Sequence, residues 1–203
     1  GTFDWTASGK FPSLSEPEPA YHGLKFHDTF GPAAFTFHSI AIGLRDLGMT
    51  MNPQGAHYTL MGIETLSLRM QKHVANAEAI ASWLEGHPAV SSVTYAGLDS
   101  SPYKARAKTL CPKGAGALFT VQLKGGYAAC VKFVNALNLF SHVANLGDVR
   151  SLVIHPASTT HRQLTPDQQV AAGAAPDSVR LSIGIEDAAD LKADLDQALK
   201  AAG

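Results

Sequence analysis

The sequence predicts an α/β protein in which a long helix joins an irregular N-terminal stretch to a C-terminal α+β domain. Three observations predict this arrangement. Residues 1–30 carry prolines and aromatic side chains at no regular spacing. Residues 51–86 repeat apolar side chains at helical spacing, and residues 87–203 alternate between strand-like and helix-like patterns. We therefore expect three parts, at residues 1–50, 51–86 and 87–203.

The composition limits the classes of protein to which the chain can belong. Its 203 residues are 45% hydrophobic, which is enough to bury a sizeable core. Sixteen Lys and Arg against 17 Asp and Glu give a formal net charge of -1, unlike the basic surface of a nucleic-acid-binding protein. No apolar run reaches the roughly 20 residues that span a bilayer. Cys111 and Cys130 form no CxxC pair, so we expect no disulfide framework and a cytoplasmic location.

Helices are predicted through the first half of the chain. The first covers residues 34–47, and Asn52 before Pro53 is a typical N-terminal cap for the second. The second helix continues to Gly86 and would be about 50 Å long at 1.5 Å per residue. A helix of that length would join two bodies or cross a subunit interface. A kink near Gly62, giving two ordinary helices, is the alternative.

The C-terminal part alternates strands and helices. The patterns predict strands at 89–97 and 116–126, a helix at 127–137, a strand or loop at 139–147, an extended segment at 151–156 and a helix at 164–173 that starts after Thr165. Another strand and a helix that starts after Asp187 close the chain.

Arg180 lies inside that last strand. Large apolar side chains alternate with it, so Arg180 is placed on the opposite face of the strand from Val179, Leu181, Ile183 and Ile185. A guanidinium group keeps its charge at ordinary pH and has five hydrogen-bond donors. The position therefore indicates either a binding site for a carboxylate or phosphate, or one half of a structural salt bridge. This stretch alone leaves both open.

Two other segments are rich in polar residues or glycine. HPASTTH, residues 155–161, lacks the HExxH spacing of a helical zinc site, and the chain has no GxSxG turn of a serine hydrolase. We expect its hydroxyls to bond nearby backbone groups and expect no metal site. KGAG, residues 113–116, leads into a strand and not into a helix, which predicts a turn and not a phosphate site.

Three longer stretches together resemble the Cys/Met-metabolism family of pyridoxal-phosphate enzymes. They are NLGDVRSLVIHPASTTH (145–161), SVRLSIGIEDAADLKADLDQAL (178–199) and GIETLSLRMQKHVANAEAIASWLEGHPAV (62–90). FDWTASGKFP, YHGL and SLVIHPASTTH are typical of the sulfhydrylase branch that acts on O-acetylhomoserine. The resemblance covers essentially the whole chain. It implies a fold-type I PLP-transferase-like α/β fold, with residues 1–50 as the tail of the large cofactor domain.

The resemblance also assigns substrate-binding residues. Arg180, the arginine of an RLSxGxED motif, would pair bidentately with the α-carboxylate of an amino-acid substrate. Asn145, which opens the xLGD motif, would lie near that carboxylate. Thr160 would line the same pocket, and Ser158 is a further candidate. The implied reaction converts O-acetylhomoserine and sulfide to homocysteine and acetate in methionine biosynthesis.

The cofactor-binding residues of the family are missing from this sequence. The family's lysine lies in a motif resembling SxTKxxxGH, and no TK dipeptide occurs here. The family's other cofactor contacts would also lie upstream of Gly1. We therefore expect the chain to contain no catalytic residue and to be the C-terminal portion of a pyridoxal-phosphate enzyme, inactive alone. Its expected partners are the missing N-terminal cofactor domain and further copies in a homotetramer.

Two alternatives stay open. The chain is a non-catalytic proteolytic fragment or the subunit of a split enzyme, or else the parent is a γ-lyase or cystathionine γ-synthase of the same family. In either case the aromatic N-terminal segment would lack the surface it packs against in a complete enzyme. We expect the isolated chain to associate for that reason.

Overall fold

The chain divides into two compact units, Gly1–Gly62 and Ile63–Gly203. A computed structural model describes residues 3–203, so the first two residues of the predicted N-terminal segment lie outside the described residues. Among the described helices, none is both long enough and apolar enough to cross a membrane.

The first unit is built from short helices. The segment expected to be irregular contains helical turns because Pro12 and Pro19 each start one, as proline does readily at a first helical position. The α-helices are α1 (Pro12–Ser15), α2 (Phe26–Phe30), α3 (Ala34–His38) and α4 (Pro53–Glu64), with 3-10 turns at Pro19–Tyr21 and Gly31–Ala33 and a π-helix at Ser39–Asp46.

The helix predicted over residues 34–47 is confirmed, although its second half is wound as a π-helix. The Leu47 amide donates to the carbonyl of Ile42 at 2.9 Å, which is the wider i→i−5 spacing. The small core of this unit consists of Leu14, Phe26 and Ala34, with aromatic side chains packed around it.

The segment expected to form one long helix is two helices. α4 ends at Glu64 and α5 covers Leu66–Glu85. Thr65 separates them with φ −105° and ψ 5°, and its carbonyl accepts the amide of Arg69 at the start of α5. The predicted cap is present, since Asn52 Oδ1 accepts the amide of Gly55 at 2.8 Å. The division at residues 50 and 86 remains a prediction about a complete enzyme.

The second unit contains a five-stranded mixed sheet. The strands lie in the order β1-β2-β5-β4-β3, and only β3 and β4 are parallel. They are β1 (Val90–Thr94), β2 (Leu118–Leu123), β3 (Ser141–His142), β4 (Leu152–Ile154) and β5 (Ser178–Ser182).

Helices cover one face of this sheet. α5 and α7 (Gly126–Ala136) pack on it, and α9 (Ala188–Ala202) packs on both of them. The apolar face predicted for α9 is confirmed, because Leu191, Leu195, Ala198 and Leu199 are all buried. Fully burying one such leucine stabilises the fold by roughly 1.5–3 kcal/mol. This face holds the main core of the protein.

Two short helices complete the unit. α8 (Pro166–Ala171) begins at the predicted Thr165, which forms a capping box with Gln168. α6 (Lys104–Leu110) was not predicted from the sequence. It is short and has no buried residue, so it lacks the apolar periodicity by which helices are recognised.

Candidate functional site

Arg180 lies at the centre of the sheet. β5 runs between β2 and β4, and Arg180 is aligned with Thr120 on one side and Ile154 on the other. The predicted alternation is confirmed, since Val179 and Leu181 are fully buried in the core while Arg180 is only partly buried. Arg180 therefore projects from the sheet face opposite the one that carries Val179 and Leu181.

The guanidinium of Arg180 has no acidic partner among residues 3–203. Its Nη2 donates to the main-chain carbonyl of Asn145 at 3.1 Å. Within residues 3–203, no Asp or Glu lies within ion-pair distance of it. A partly buried guanidinium with unused donors in a fork geometry is suited to a carboxylate or phosphate. The structural salt bridge that the sequence left open is absent from the described residues.

Asn145 contacts Arg180 through its main chain. Its side-chain Oδ1 accepts the amide of Leu146 at 2.9 Å. Its backbone carbonyl faces Arg180 and accepts the hydrogen bond from Nη2. Two residues later, Gly147 adopts a positive φ of 75°, a conformation that favours glycine. Its amide donates to the hydroxyl of Ser182 on β5 at 3.3 Å. The loop is thus attached to the same strand at two points.

The HPASTTH segment follows β4 directly and forms a loop that contains a 3-10 helix at Pro156–Ser158. Thr160 is exposed, and its hydroxyl lies 2.8 Å from Nδ1 of His161. The hydroxyls of Ser158 and Thr159 bond within the loop, to His155, as expected for local backbone and side-chain partners. The structure joins Arg180 to Asn145, whereas no hydrogen bond in the described chain joins Thr160 to either of them.

His155 anchors this loop. It is buried, and its Nε2 donates to the carbonyl of Pro176 at 2.8 Å. Burial lowers the pKa of His155, although the bond to Pro176 works against that shift. The neutral ring therefore has an unprotonated Nδ1, which accepts the hydroxyl of Ser158 at 2.9 Å. Gln169 of α8 holds the same loop by donating to the carbonyls of Ala157 and His161.

The residues of this chain do not fit covalent attachment of a pyridoxal cofactor. A lysine that forms a Schiff base is activated by removal from water or by a neighbouring cation. None of the ten lysines, all of which lie in the described part, is buried. The described residues therefore offer no buried lysine for such a bond, while Arg180 is a candidate group for binding an anion.

A separate groove lies away from Arg180. It measures about 680 Å³ and is bounded by α5, by α6 and by the turn at residues 111–115. The predicted KGAG turn forms part of its wall, with positive φ at Gly114 and Gly116. Neither Arg180 nor Asn145 lines it.

Sequence reasoning missed the residues that support the Arg180 strand. Glu186 and Ser151 are joined by two hydrogen bonds, and Asn76 of α5 donates to the carbonyls of Gly184 and Glu186. The acidic pair in the RLSxGxED motif was a signal, because a glutamate so close to a strand end needs a partner. Its partners lie too far away in sequence to be identified from a pattern.

Known proteins resemble this chain over almost all of its length. The family model described as Cys/Met metabolism PLP-dependent enzyme matches residues 20–200. O-acetyl-L-homoserine sulfhydrylase 1 of Thermus thermophilus is 48% identical over 98% of this chain and 47% of its own length. Homocysteine synthase of Schizosaccharomyces pombe is 47% identical over 100% of this chain and 47% of its own length.

A solved structure is also similar to this chain. It is described as a putative O-acetylhomoserine (thiol)-lyase from Campylobacter jejuni with N'-pyridoxyl-lysine-5'-monophosphate. It is 38% identical, has a TM-score of 0.84, and matches 97% of this chain and 46% of its own. The predicted fold class is confirmed, and the chain spans about half the length of the relatives it matches. The chain belongs to the family of PLP-dependent enzymes of Cys/Met metabolism.

Proposed function

We propose that this chain is the C-terminal portion of a sulfhydrylase that converts O-acetylhomoserine and sulfide to homocysteine and acetate. The observation that carries the proposal is Arg180, a partly buried guanidinium with no acidic partner among the described residues. Relatives named O-acetyl-L-homoserine sulfhydrylase and homocysteine synthase support the choice of substrate. The enzyme acts in the cytoplasm, in methionine biosynthesis, as a homotetramer.

The task of this chain is to bind and orient the amino acid. Arg180 donates two parallel hydrogen bonds to the α-carboxylate, and a charged bond of this kind contributes about 1.5–3 kcal/mol. Fixing the carboxylate fixes the direction of the Cα–H bond, which is a positioning role. Asn145 keeps the guanidinium in place through its carbonyl. Thr160 contributes to the rim of the pocket, next to His161.

Pyridoxal phosphate, bound by an upstream N-terminal domain, supplies the electron sink for the reaction. The 203-residue chain is inactive alone because its exposed and half-exposed lysines are unsuited to holding that cofactor. The exposed apolar side chains of the first unit, among them Phe35, Met49 and Tyr58, favour a chain that works against another protein surface.

The experiment compares two proteins. The first is the polypeptide expressed from the gene that encodes residues 1–203, with its intact mass measured under denaturing conditions. The second is the 203-residue chain alone, supplied with pyridoxal phosphate. We expect a mass larger than that of this chain, and homocysteine formation from O-acetylhomoserine and sulfide only by the longer protein. If the gene encodes only the short chain, it is a subunit of a split enzyme, and activity then has to appear on adding its partner.

Homocysteine formation by the short chain alone would disprove the proposal that the cofactor is bound by an upstream domain. A longer protein that binds pyridoxal phosphate but does not use O-acetylhomoserine would disprove the substrate assignment.

A further inference from the structure

A glutamate holds the loop that faces Arg180. Loop 145–151 runs from Asn145 to Ser151, and the turn at residues 183–187 directly follows β5. Glu186 joins them, since its Oε1 accepts the amide of Ser151 at 2.7 Å and its Oε2 accepts the Ser151 hydroxyl at 2.9 Å. Ser151 is fully buried, so both of its donors depend on this carboxylate.

Further bonds join the same two segments. The Ser151 hydroxyl accepts the amide of Gly184 at 2.8 Å, and the Ile185 amide donates to the carbonyl of Val149 at 2.9 Å. The segments lie so close that a Cβ at Gly184 would collide with Val149 and with the Glu186 carboxylate. These bonds between loop 145–151 and the turn at residues 183–187 form what we call the clamp. It leaves no room for even one added methyl group at Gly184.

The helix α5 holds the turn from the opposite side. Asn76 donates to the carbonyls of Gly184 and Glu186 at 3.0 and 2.8 Å, and His73 Nδ1 donates to the carbonyl of Ile183 at 2.7 Å. Both side chains are buried. Buried polar groups are kept where their hydrogen bonds fix one arrangement, and here they fix three neighbouring carbonyls just beyond the strand of Arg180.

The clamp ends at the guanidinium. Loop 145–151 begins with Asn145, whose carbonyl accepts Nη2 of Arg180 at 3.1 Å. The position of the loop therefore decides which donors of Arg180 remain directed at a ligand. Glu186 forms no ion pair with any Lys or Arg in the described part of the chain, so its hydrogen-bonded connection toward Arg180 runs through the loop.

We infer that Glu186 is a positioning residue for substrate binding: through Ser151 it holds loop 145–151 so that Arg180 presents its fork to the α-carboxylate. This inference rests on the proposed function. In the RLSxGxED motif, the glutamate then positions the loop, whereas the arginine binds the substrate carboxylate.

A double-mutant cycle in the complete enzyme tests the inference. Glu186→Gln retains the size of the side chain but replaces one carboxylate oxygen with an NH₂ group, so one of the two donors of Ser151 loses its acceptor. We expect the KM for O-acetylhomoserine to rise roughly tenfold, within the range for residues of one hydrogen-bond network, and kcat to fall because the Cα–H bond is less well directed, while the KM for sulfide is unchanged. In an Arg180→Ala background the same change is expected to have no further effect on KM.

Controls separate positioning from general destabilisation. Asp190→Asn removes an acidic charge from an exposed site four residues along and is expected to leave KM unchanged. Ser151→Ala removes one partner of the clamp and should reproduce the KM effect if Glu186→Gln does not fold. In the 203-residue chain itself, hydrogen exchange at the Ser151 and Gly184 amides should be faster in Glu186→Gln.

The outcomes are distinct. If Glu186→Gln raises KM equally with and without Arg180, Glu186 acts independently of the arginine and the inference is overturned. An unchanged KM in the Glu186→Gln single variant overturns it as well. A wild-type enzyme that does not use O-acetylhomoserine overturns the proposed function and this inference with it.

Discussion

The two compact units differ in how much apolar surface they bury. Six of the nine phenylalanines precede residue 38, yet among the described residues of the first unit only Leu14, Phe26 and Ala34 form a buried cluster. The second unit builds one cluster of 24 buried residues between its sheet and its helices. A sheet with helices on one face provides a core of its own, whereas short helices rich in aromatics leave Phe35 57% exposed and Met49 69% exposed. The first unit therefore leaves more of its apolar surface exposed than the second.

The largest expected difference between the two units is in their stability when each is produced alone. We expect residues 63–203 alone to unfold in one cooperative transition, because their core is contained within them. Residues 1–62 alone should show no cooperative transition, since conformational entropy exceeds what three buried side chains return. Thermal unfolding followed by circular dichroism measures both. A cooperative transition in residues 1–62 would show that the first unit is stable by itself.

A matched pair of phenylalanine substitutions makes the comparison quantitative. Phe133 is fully buried in the second unit, and Phe133→Ala should lower the free energy of unfolding by about 3–5 kcal/mol. Phe35 is more than half exposed in the first unit and stacks on Trp5, so Phe35→Ala should change it by no more than about 1.5 kcal/mol. Urea titration of the 203-residue chain gives both values. Equal losses would contradict the difference in burial.

A smaller effect concerns the buried histidine of the second unit. Burial lowers the pKa of His155 from its ordinary value of 6.5, so below about pH 6.5 the unfolded chain binds a proton that the native chain does not. Stability is then lost as the pH falls from about 6.5 toward the native pKa. We expect His155→Gln to show a weaker loss over this range, measured as the urea midpoint against pH.

The exposed His142 provides the control for that measurement. His142→Gln should retain the pH dependence of the unmodified chain. If His155→Gln loses stability with acidification as steeply as the unmodified chain does, His155 is not the group responsible.

Local patterns predicted the side of the sheet on which Arg180 lies. Alternation along β5 and the caps at Asn52, Thr165 and Asp187 depend on neighbours a few residues away, and the structure confirms each of them. The break at Thr65 was not located by pattern because the apolar spacing continues across it. Only the alternative of a kink near Gly62 anticipated two helices.

The parts of the site that could not be predicted depend on distant contacts. Glu186 meets Ser151 across 35 residues, and Asn76 meets the same turn across 110. Asn145 acts through a main-chain carbonyl, so its side-chain type gave no sign of the contact with Arg180. The resemblance to a family predicted that Arg180, Asn145 and Thr160 lie around one substrate, and that placement stays a prediction for all three.

The most direct test of the account is the KM of an Arg180→Ala variant of the complete enzyme for O-acetylhomoserine. Loss of a charged hydrogen bond worth about 1.5–3 kcal/mol predicts a KM raised about 10- to 150-fold, with the bound cofactor unaffected. Arg106→Ala, at an exposed position of α6, is the matched control and should leave KM unchanged. An unchanged KM in Arg180→Ala would contradict the assignment of this arginine to the substrate carboxylate.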